Sequence, residues 1–218
     1  MVINREFGIA YQPTPKNACS SIKHLMFYIT NRFYFRPYMV DGKYVSIHEI
    51  HESYKSLKFE RIAKQLKDYP FRYCVVREPM QRLRSAYYNK VIQQKLLVGT
   101  KFENRVGSFD DFLVNIKDLM ANNWKPLPTC KLFLHHCRPQ SYFLGMQPQR
   151  YTKIYNLAQL NMLQDDLSEI TGLELALPAV NKSSTEYSHD EDQSAAEKHA
   201  ARIEKLYRHD YRAYGEYF

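Results

Sequence analysis

Glycine is scarce in this chain, which has 7 glycines among 218 residues. A Walker P-loop needs two glycines followed by Lys and Ser or Thr at a fixed spacing, and the sequence contains no such pattern. The usual cradle for a nucleoside triphosphate and its magnesium ion is therefore excluded. A nucleotide-kinase-like phosphotransferase, the enzymatic alternative, would need that cradle and a set of metal-binding carboxylates, and neither is evident.

Cysteines and long apolar runs are also few. The 4 cysteines are too few and too irregularly spaced for a disulfide framework. Cys130 and Cys137 bracket His135 and His136 at a spacing that matches no standard zinc site, so we expect no metal; reduced thiols are favoured, with a local disulfide as the alternative. No run approaches the roughly 18 apolar residues of a membrane span, and the first residues lack the features of a secretory signal.

Positive charge is in excess, with 31 Lys and Arg against 23 Asp and Glu and a net charge of +8. Such a chain favours anionic partners: nucleic acid, an acidic membrane surface, an acidic polymer or a phosphorylated small molecule. The 18 tyrosines make a nucleic-acid-binding module the non-enzymatic alternative. Because these tyrosines lie in apolar and helical patterns and no nucleic-acid signature is present, we expect no nucleic-acid partner.

Strands and helices alternate along the chain. Strands are predicted at Phe7–Gln12, Tyr44–His48, Phe71–Val76 and Tyr151–Leu157. Five helices are predicted: one begins at Ser20, one spans Ser56–Leu66, one follows Arg77, one ends at Gly172 and one lies near the carboxyl end. This alternation predicts an α/β fold in one domain, residues 1–218, with a central parallel sheet flanked by helices on both faces.

The first strand leads into a turn, "PTPKNACSSIK", that can bind an anion. Backbone N–H groups from Asn17 to Ser21 would point at the anion, and the hydroxyls of Ser20 and Ser21 can donate as well. Lys16 precedes the helix and supplies a mobile positive charge. The alternative is a serine-capped helix after a proline-bearing turn, with Lys16 merely solvated.

The strand Phe71–Val76 leads into a second turn of this kind. Arg77 stands at the strand end, and Ser85 lies about two turns into the following helix. A guanidinium fork and a hydroxyl make a good phosphate clamp. Arg82 and Arg84 are expected on the solvated side, and the alternative for Arg77 is a surface pair with Glu78.

Together the two turns indicate one particular class of ligand. In parallel sheets, ligands bind beyond the carboxyl ends of the strands. Two anion-binding turns at neighbouring strand ends would suit a nucleotide that carries phosphate groups at both its 3′ and 5′ ribose positions.

These motifs resemble a known family. "PKNACSS" followed by "FRYCVVREPMQRLRSAYYNK" is similar to the sulfotransferases that use 3′-phosphoadenosine 5′-phosphosulfate (PAPS), in particular their carbohydrate sulfotransferase branch. "HHCRPQSYFLG", "LPAVNKSS" and "LYRHDYRAYGEYF" resemble later family segments in the right order, so the likeness covers the chain from Ile9 onward. The resemblance implies a P-loop-like nucleotide-binding architecture with PAPS as co-substrate, 3′-phosphoadenosine 5′-phosphate (PAP) as product and no metal.

The resemblance also implies roles for residues of both turns. Lys16 would neutralise charge on the oxygen that leaves the sulfuryl group, and Arg77 and Ser85 would hold the 3′-phosphate. The 5′ end would be cradled by Asn17, Ala18, Cys19, Ser20 and Ser21. Asn17, Ala18 and Cys19 stand where the family commonly has Thr-Gly-type residues, so contacts there are expected to be mostly through the backbone.

A hydroxyl acceptor needs a general base. The family often has a histidine after the strand that precedes V-R-x-P, and the segment "SIHEIHES" offers His48 and His51. We favour His51, because its distance to the next helix and to Arg77 matches the family better. The carboxylates of Glu49 and Glu52 are the alternatives, with His135 and His136 as further fallbacks.

The acceptor itself is only partly specified. The resemblance implies a hydroxyl of a carbohydrate or a glycolipid. Its binding wall is expected to include Trp124, His136, Arg138 and Gln140. No membrane anchor precedes the first motif in this sequence, which favours a cytoplasmic enzyme of bacterial type; the alternative is a Golgi lumenal catalytic domain with its anchor removed.

Overall fold

The computed structural model describes residues 1–121, 128–178 and 189–218, excluding the side chains of 128–130 and 189–191. The chain divides into two compact units. Unit 1 comprises Met1–Arg77, Gln140–Lys182 and Ala213–Phe218, and unit 2 comprises Glu78–Pro139 and Ser183–Arg212. Whether the two units behave as the predicted single domain stays a prediction.

Unit 1 contains a four-stranded sheet and a separate two-stranded sheet. The strands are β1 (Val2–Asn4), β2 (Ile9–Tyr11), β3 (Tyr38–Val40), β4 (Lys43–Val45), β5 (Phe71–Val76) and β6 (Lys153–Asn156). The larger sheet has the order β1-β2-β5-β6. Strands β2, β5 and β6 run parallel, whereas β1 pairs with β2 in the antiparallel sense. The α/β fold class is confirmed, with a sheet that is mixed instead of wholly parallel.

The prediction of a central strand at Tyr44–His48 is wrong. Tyr44 belongs to β4, which pairs antiparallel with β3 in a hairpin outside the central sheet, and His48 follows in a turn. Asp41 and Gly42 join the two strands with φ angles of 48° and 71°. An Asp-Gly pair with two positive φ angles favours a tight hairpin turn, so this segment pairs with its own neighbour.

Nine helices are formed within the described residues. They are α1 (Cys19–Asn31), α2 (Ala63–Leu66), α3 (Pro79–Ala86), α4 (Phe109–Met120), α5 (Pro128–Cys137), α6 (Ser141–Leu144), α7 (Leu160–Thr171), α8 (His189–Leu206) and α9 (Arg208–Tyr214). The predicted helix Ser56–Leu66 is reduced to α2 and a 3₁₀ turn at Phe59–Arg61. Helix α7 ends at Gly172 in the left-handed conformation, as predicted. Within the ranges described, none of these helices combines the length and the apolar character needed to cross a bilayer.

Helices cover both faces of the central sheet in unit 1. On one face, Tyr73 and Val75 of β5 belong to a buried cluster with apolar residues of α1 and α7. On the other face, Cys74 and Val76 pack in a cluster with residues of α2 and α6. Successive residues from Tyr73 to Val76 are thus buried on opposite faces, which is why this part of β5 reads as a continuous apolar run.

Unit 2 has its own core, and those of its residues that the structure describes form no sheet. Residues of α3, α4, α5 and α8 contribute to one buried cluster, which includes Leu83, Phe112, Phe133 and Ile203. Helix α4 begins with a capping box in which Ser108 and Asp111 exchange hydrogen bonds.

Candidate active site

The first anion-binding turn and Arg77, the first residue of the second, lie side by side in unit 1. Strands β2 and β5, which precede them, are adjacent and parallel. The Nη1 atom of Arg77 donates a hydrogen bond of 3.3 Å to the backbone carbonyl of Lys16. The structure thus places Lys16 and Arg77 together at the carboxyl ends of neighbouring strands, and their shared binding of one nucleotide stays a prediction.

The first turn adopts an unusual backbone conformation without glycine. Lys16 and Ala18 have φ angles of 69° and 53°, in a region that costs a residue with a side chain about 1 kcal/mol. Helix α1 starts directly after Ala18, which makes no side-chain capping bond, and its first turn has no acidic residue. Ser20 and Ser21 lie inside the first turn instead of capping it. The N-cap residue Ala18 therefore supplies no side-chain acceptor to the first N–H groups of α1.

Buried amide side chains anchor this turn to the rest of unit 1. Asn17 is fully buried, and its Nδ2 atom donates to the Val75 carbonyl at 2.8 Å and to Oε1 of Gln140 at 2.5 Å. Asn17 Oδ1 and Thr14 Oγ1 are buried and have no hydrogen-bond partner among the residues described. Polar atoms buried in this way are uncommon in folded proteins and mark places where a ligand or water can bind.

His48 is the histidine that the structure brings to helix α1. Its Nε2 atom lies 2.9 Å from the Ser20 hydroxyl, and its Nδ1 atom lies 2.8 Å from Nζ of Lys23. Lys23 is 1% exposed, and this burial lowers the pKa of its ammonium group, because a charge is poorly solvated there. The contact with Ser20 places the His48 imidazole at the first turn of α1.

His51, which the sequence favoured as the base, has a different environment. It is exposed, and its Nδ1 atom accepts a hydrogen bond of 3.1 Å from the backbone N–H of Ser53. This bond caps the 3₁₀ turn Glu52–Tyr54. The structure thus gives His51 a local capping contact, and the choice between the two histidines is taken up as a proposal below.

The two carboxylates considered as alternative bases are both exposed. Hydrogen bonds from the hydroxyl and backbone of Ser46 lower the pKa of Glu49. An ion pair with Lys55 lowers the pKa of Glu52. A lower pKa makes a carboxylate a weaker base, so neither environment suits the removal of a proton from a hydroxyl.

The second turn begins its helix with a carboxylate. Glu78 precedes Pro79 of α3, and its side chain accepts a hydrogen bond of 2.8 Å from the backbone N–H of Gln81 and another from the Tyr211 hydroxyl. Ser85 is half-buried within α3 and belongs to unit 2. Its predicted cooperation with Arg77 stays a prediction.

The expectation that Arg82 and Arg84 are solvated is wrong. Arg82 is 1% exposed, and its Nη1 atom donates to the Arg138 carbonyl at 2.7 Å. Arg84 forms an ion pair of 2.6 Å with Asp192, whose side chain is 5% exposed. Helix α3 packs against α5 and α8 within unit 2, so the side that looked solvated is covered.

The predicted acceptor-wall residues that the structure describes fall into both units. Gln140 is fully buried in unit 1. His136 and Arg138 are half-buried in unit 2, where Nδ1 of His136 donates to the Leu132 carbonyl of its own helix at 2.7 Å. Trp124 and the side chain of Cys130 lie outside the described residues, so the acceptor-wall role and the cysteine pairing stay predictions. His135 is half-buried beside His136.

Sequence reasoning missed two residues of this region. Lys23 stands one helical turn after Ser20, a spacing that places both on one side of α1, so its position could have been inferred. Asn17 was expected to contribute only its backbone N–H group. No pattern in the neighbouring sequence indicates that its side chain is buried. Across the residues described, no group of three or more His, Cys, Asp or Glu side chains is arranged to hold a metal ion.

Comparisons with known proteins identify relatives of the chain and its family. Carbohydrate sulfotransferase 11 of Rattus norvegicus and that of Mus musculus are each 29% identical to the chain over 109 residues. The match covers 50% of this chain and 30% of each relative's length. No solved structure matches the chain significantly. The model of the sulfotransferase family matches residues 1–217, and the chain therefore belongs to the sulfotransferase family.

Proposed function

We propose that the protein transfers the sulfuryl group of PAPS to a hydroxyl of a carbohydrate or a glycolipid. Membership of the sulfotransferase family and the likeness to carbohydrate sulfotransferase 11 support this proposal. The observation that carries it is the hydrogen bond between Arg77 and the Lys16 carbonyl, because it joins the two turns that would hold one nucleotide.

The residues present fit a nucleotide with an anionic group at each end. The uncapped start of α1 offers backbone N–H groups to the 5′ end. Arg77, half-buried and adjacent, offers a guanidinium to the 3′-phosphate, with Ser85 as its proposed helper. The buried oxygens of Thr14 and Asn17, which lack a protein partner among the described residues, supply further polar contacts in the turn.

When bound, PAPS supplies a sulfuryl group that is already activated by its bond to the 5′-phosphate. Lys16 would supply the ammonium that stabilises the negative charge on the oxygen of the breaking bond. The first-turn N–H groups of α1 would hold the 5′-phosphate and so orient the sulfuryl group toward the acceptor hydroxyl. A sulfuryl group carries less negative charge than a phosphoryl group, so the proposal includes no metal ion.

His48 is our proposed general base, since it lies against Ser20 at the start of α1. If Lys23 is an ammonium, it donates to Nδ1, and the single proton of neutral His48 lies on Nε2. If Lys23 is a neutral amine, it can accept from Nδ1–H, and the Nε2 lone pair then accepts from a hydroxyl, which is that of Ser20 in this structure. An acceptor hydroxyl would take the place of Ser20 at Nε2 in this second state, which the proposal requires.

The experiment is a transfer assay with PAPS and a panel of glycan and glycolipid acceptors, read out by mass spectrometry of the sulfated product and by release of PAP. Adenosine 5′-phosphosulfate, which lacks the 3′-phosphate, is the matched donor control and should react much more slowly. Binding of PAP without transfer to any acceptor would instead support a nucleotide-binding module, and phosphate transfer from ATP would support a kinase. The cytoplasmic location stays a prediction.

A further inference from the structure

Gln140 is a buried side chain that touches both turns of the proposed nucleotide site. It lies just before α6 and is fully buried. Its Oε1 atom accepts from the backbone N–H of Arg77 at 3.0 Å, and its Nε2 atom donates to the Arg77 carbonyl at 2.7 Å. One carboxamide therefore binds both peptide groups that flank the Cα atom of Arg77, as a neighbouring strand would.

The same carboxamide also reaches the first turn. Oε1 of Gln140 accepts a second hydrogen bond, of 2.5 Å, from Nδ2 of Asn17. Asn17 in turn donates to the Val75 carbonyl near the end of β5, at 2.8 Å. Asn17 lies between Lys16 and Ala18, the two residues with positive φ angles. Gln140 and Asn17 thus connect the backbone on both sides of the proposed site.

This network has the properties of a positioning device. Its members are buried, so their hydrogen bonds are not exchanged for bonds to water, and an unmade bond there is costly. Neither amide carries charge, so the network sets geometry without altering the positive potential that an anionic nucleotide requires. The Arg77 backbone is fixed on both sides, which limits where its guanidinium can reach.

We infer that Gln140 is a positioning residue of the nucleotide site, which acts through the Arg77 peptide groups and Asn17 to hold the two turns at the spacing of the 3′ and 5′ phosphates. This inference rests on the proposed function. It differs from the acceptor-wall role predicted from the sequence, because the side chain of Gln140 is buried behind the turns and has no exposed surface to offer a sugar.

The test measures PAP affinity by calorimetry for wild type, Gln140→Met and the control Gln12→Met. Gln12 is an equally buried glutamine of unit 1, and its Nε2 atom binds two backbone carbonyls, those of Leu57 and Phe143, instead of Arg77 and Asn17. Both variants lose buried hydrogen bonds and should lose thermal stability. Only Gln140→Met should also lose PAP affinity, by about 10- to 100-fold, because the turns lose their spacing.

A double-mutant cycle with Arg77→Ala separates positioning from general destabilisation. If Gln140 acts through Arg77, Gln140→Met should lower PAP affinity much less in the Arg77→Ala protein than in the wild-type protein. If Gln140→Met does not fold, Gln140→Asn retains the carboxamide on a side chain too short to span its partners and should show the same pattern more weakly.

Three outcomes are distinguishable. Equal PAP affinity for Gln140→Met and Gln12→Met, with a clear loss for Arg77→Ala, would overturn the positioning role and leave the proposed function intact. Strictly additive losses in the cycle would overturn it too. Failure of the wild-type protein to bind PAP would overturn the proposed function itself.

Discussion

The two strand-to-helix turns start their helices in opposite ways. After β2, helix α1 begins behind Ala18, which cannot cap it, and no carboxylate lies in its first turn. After β5, helix α3 begins behind Glu78, whose side chain accepts from Gln81 N–H. Both turns follow parallel neighbouring strands. The difference in helix capping therefore comes from the residue at each N-cap and not from where the turns lie in the sheet.

This difference indicates how each turn can hold an anion. In the proposed function, the start of α1 binds a phosphate or phosphosulfate through backbone N–H groups, aided by the helix dipole. The start of α3 carries its own carboxylate, Glu78, so we expect an anion near the end of β5 to be bound by side chains such as Arg77. The proposed nucleotide would thus be held by the backbone at one end and by side chains at the other.

The largest effect is expected from the histidine at the first turn. His48→Ala should lower kcat by about 10²- to 10⁴-fold, the usual contribution of a general base. His51→Ala is the matched control three positions along and should change kcat little, because His51 is exposed and only caps a 3₁₀ turn. Steady-state kinetics of both variants measure these effects. Loss of activity in His51→Ala, with His48→Ala still active, would identify His51 as the base instead of His48.

Lys16→Ala tests the charge of the first turn. We expect kcat to fall by about 10²- to 10³-fold, because the leaving oxygen loses its stabilising cation. PAP affinity should fall much less, since the N–H groups of α1 remain. Lys16→Arg keeps the charge and should recover part of the rate; a drop in affinity as large as the drop in kcat would assign Lys16 to ground-state binding instead.

Ala18→Asp would make the first turn resemble the second. Aspartate tolerates the left-handed conformation of this position, and its carboxylate would cap α1. Thermal unfolding should show a gain of about 0.5–2 kcal/mol, and calorimetry should show about a tenfold loss of PAP affinity, because one carboxylate displaces another anion. Ala18→Asn, a neutral cap, is the control. Unchanged PAP affinity in Ala18→Asp would show that the start of α1 does not bind the nucleotide.

The smallest effect is expected at the second turn. Glu78→Ala removes the cap of α3 and should lower the free energy of unfolding by about 0.5–2 kcal/mol, measured by chemical denaturation. PAP affinity should stay within about threefold of wild type, a difference under 1 kcal/mol. A large gain in affinity would mean that the Glu78 carboxylate repels the nucleotide and that the start of α3 belongs to the site.

Some elements were predictable because local and tertiary preferences agree. Phe71–Val76 matches β5 in both bounds, since its last four residues, Tyr73 to Val76, are buried on two faces and read as an apolar run. The close of α7 at Gly172 follows from the left-handed conformation that glycine adopts easily. The placement of Lys16 and Arg77 followed from the topology of parallel neighbouring strands.

Other features depend on partners distant in sequence. Arg82 looked solvated, yet the Arg138 carbonyl and the packing of unit 2 bury it. The role of Gln140 arises from a contact with Asn17 across 123 positions, and no local pattern encodes it. The turn at Lys16 and Ala18 was hidden for another reason: it uses positive φ angles without the glycine that normally announces them.

The most direct test of the central claim compares PAP with adenosine 5′-phosphate by calorimetry in wild type, Lys16→Ala and Arg77→Ala. We expect wild type and Lys16→Ala to prefer PAP, and Arg77→Ala to lose about 10- to 150-fold in PAP affinity, so that the two ligands bind nearly alike. If Arg77→Ala still prefers PAP as strongly as wild type does, the two turns do not hold opposite ends of one nucleotide.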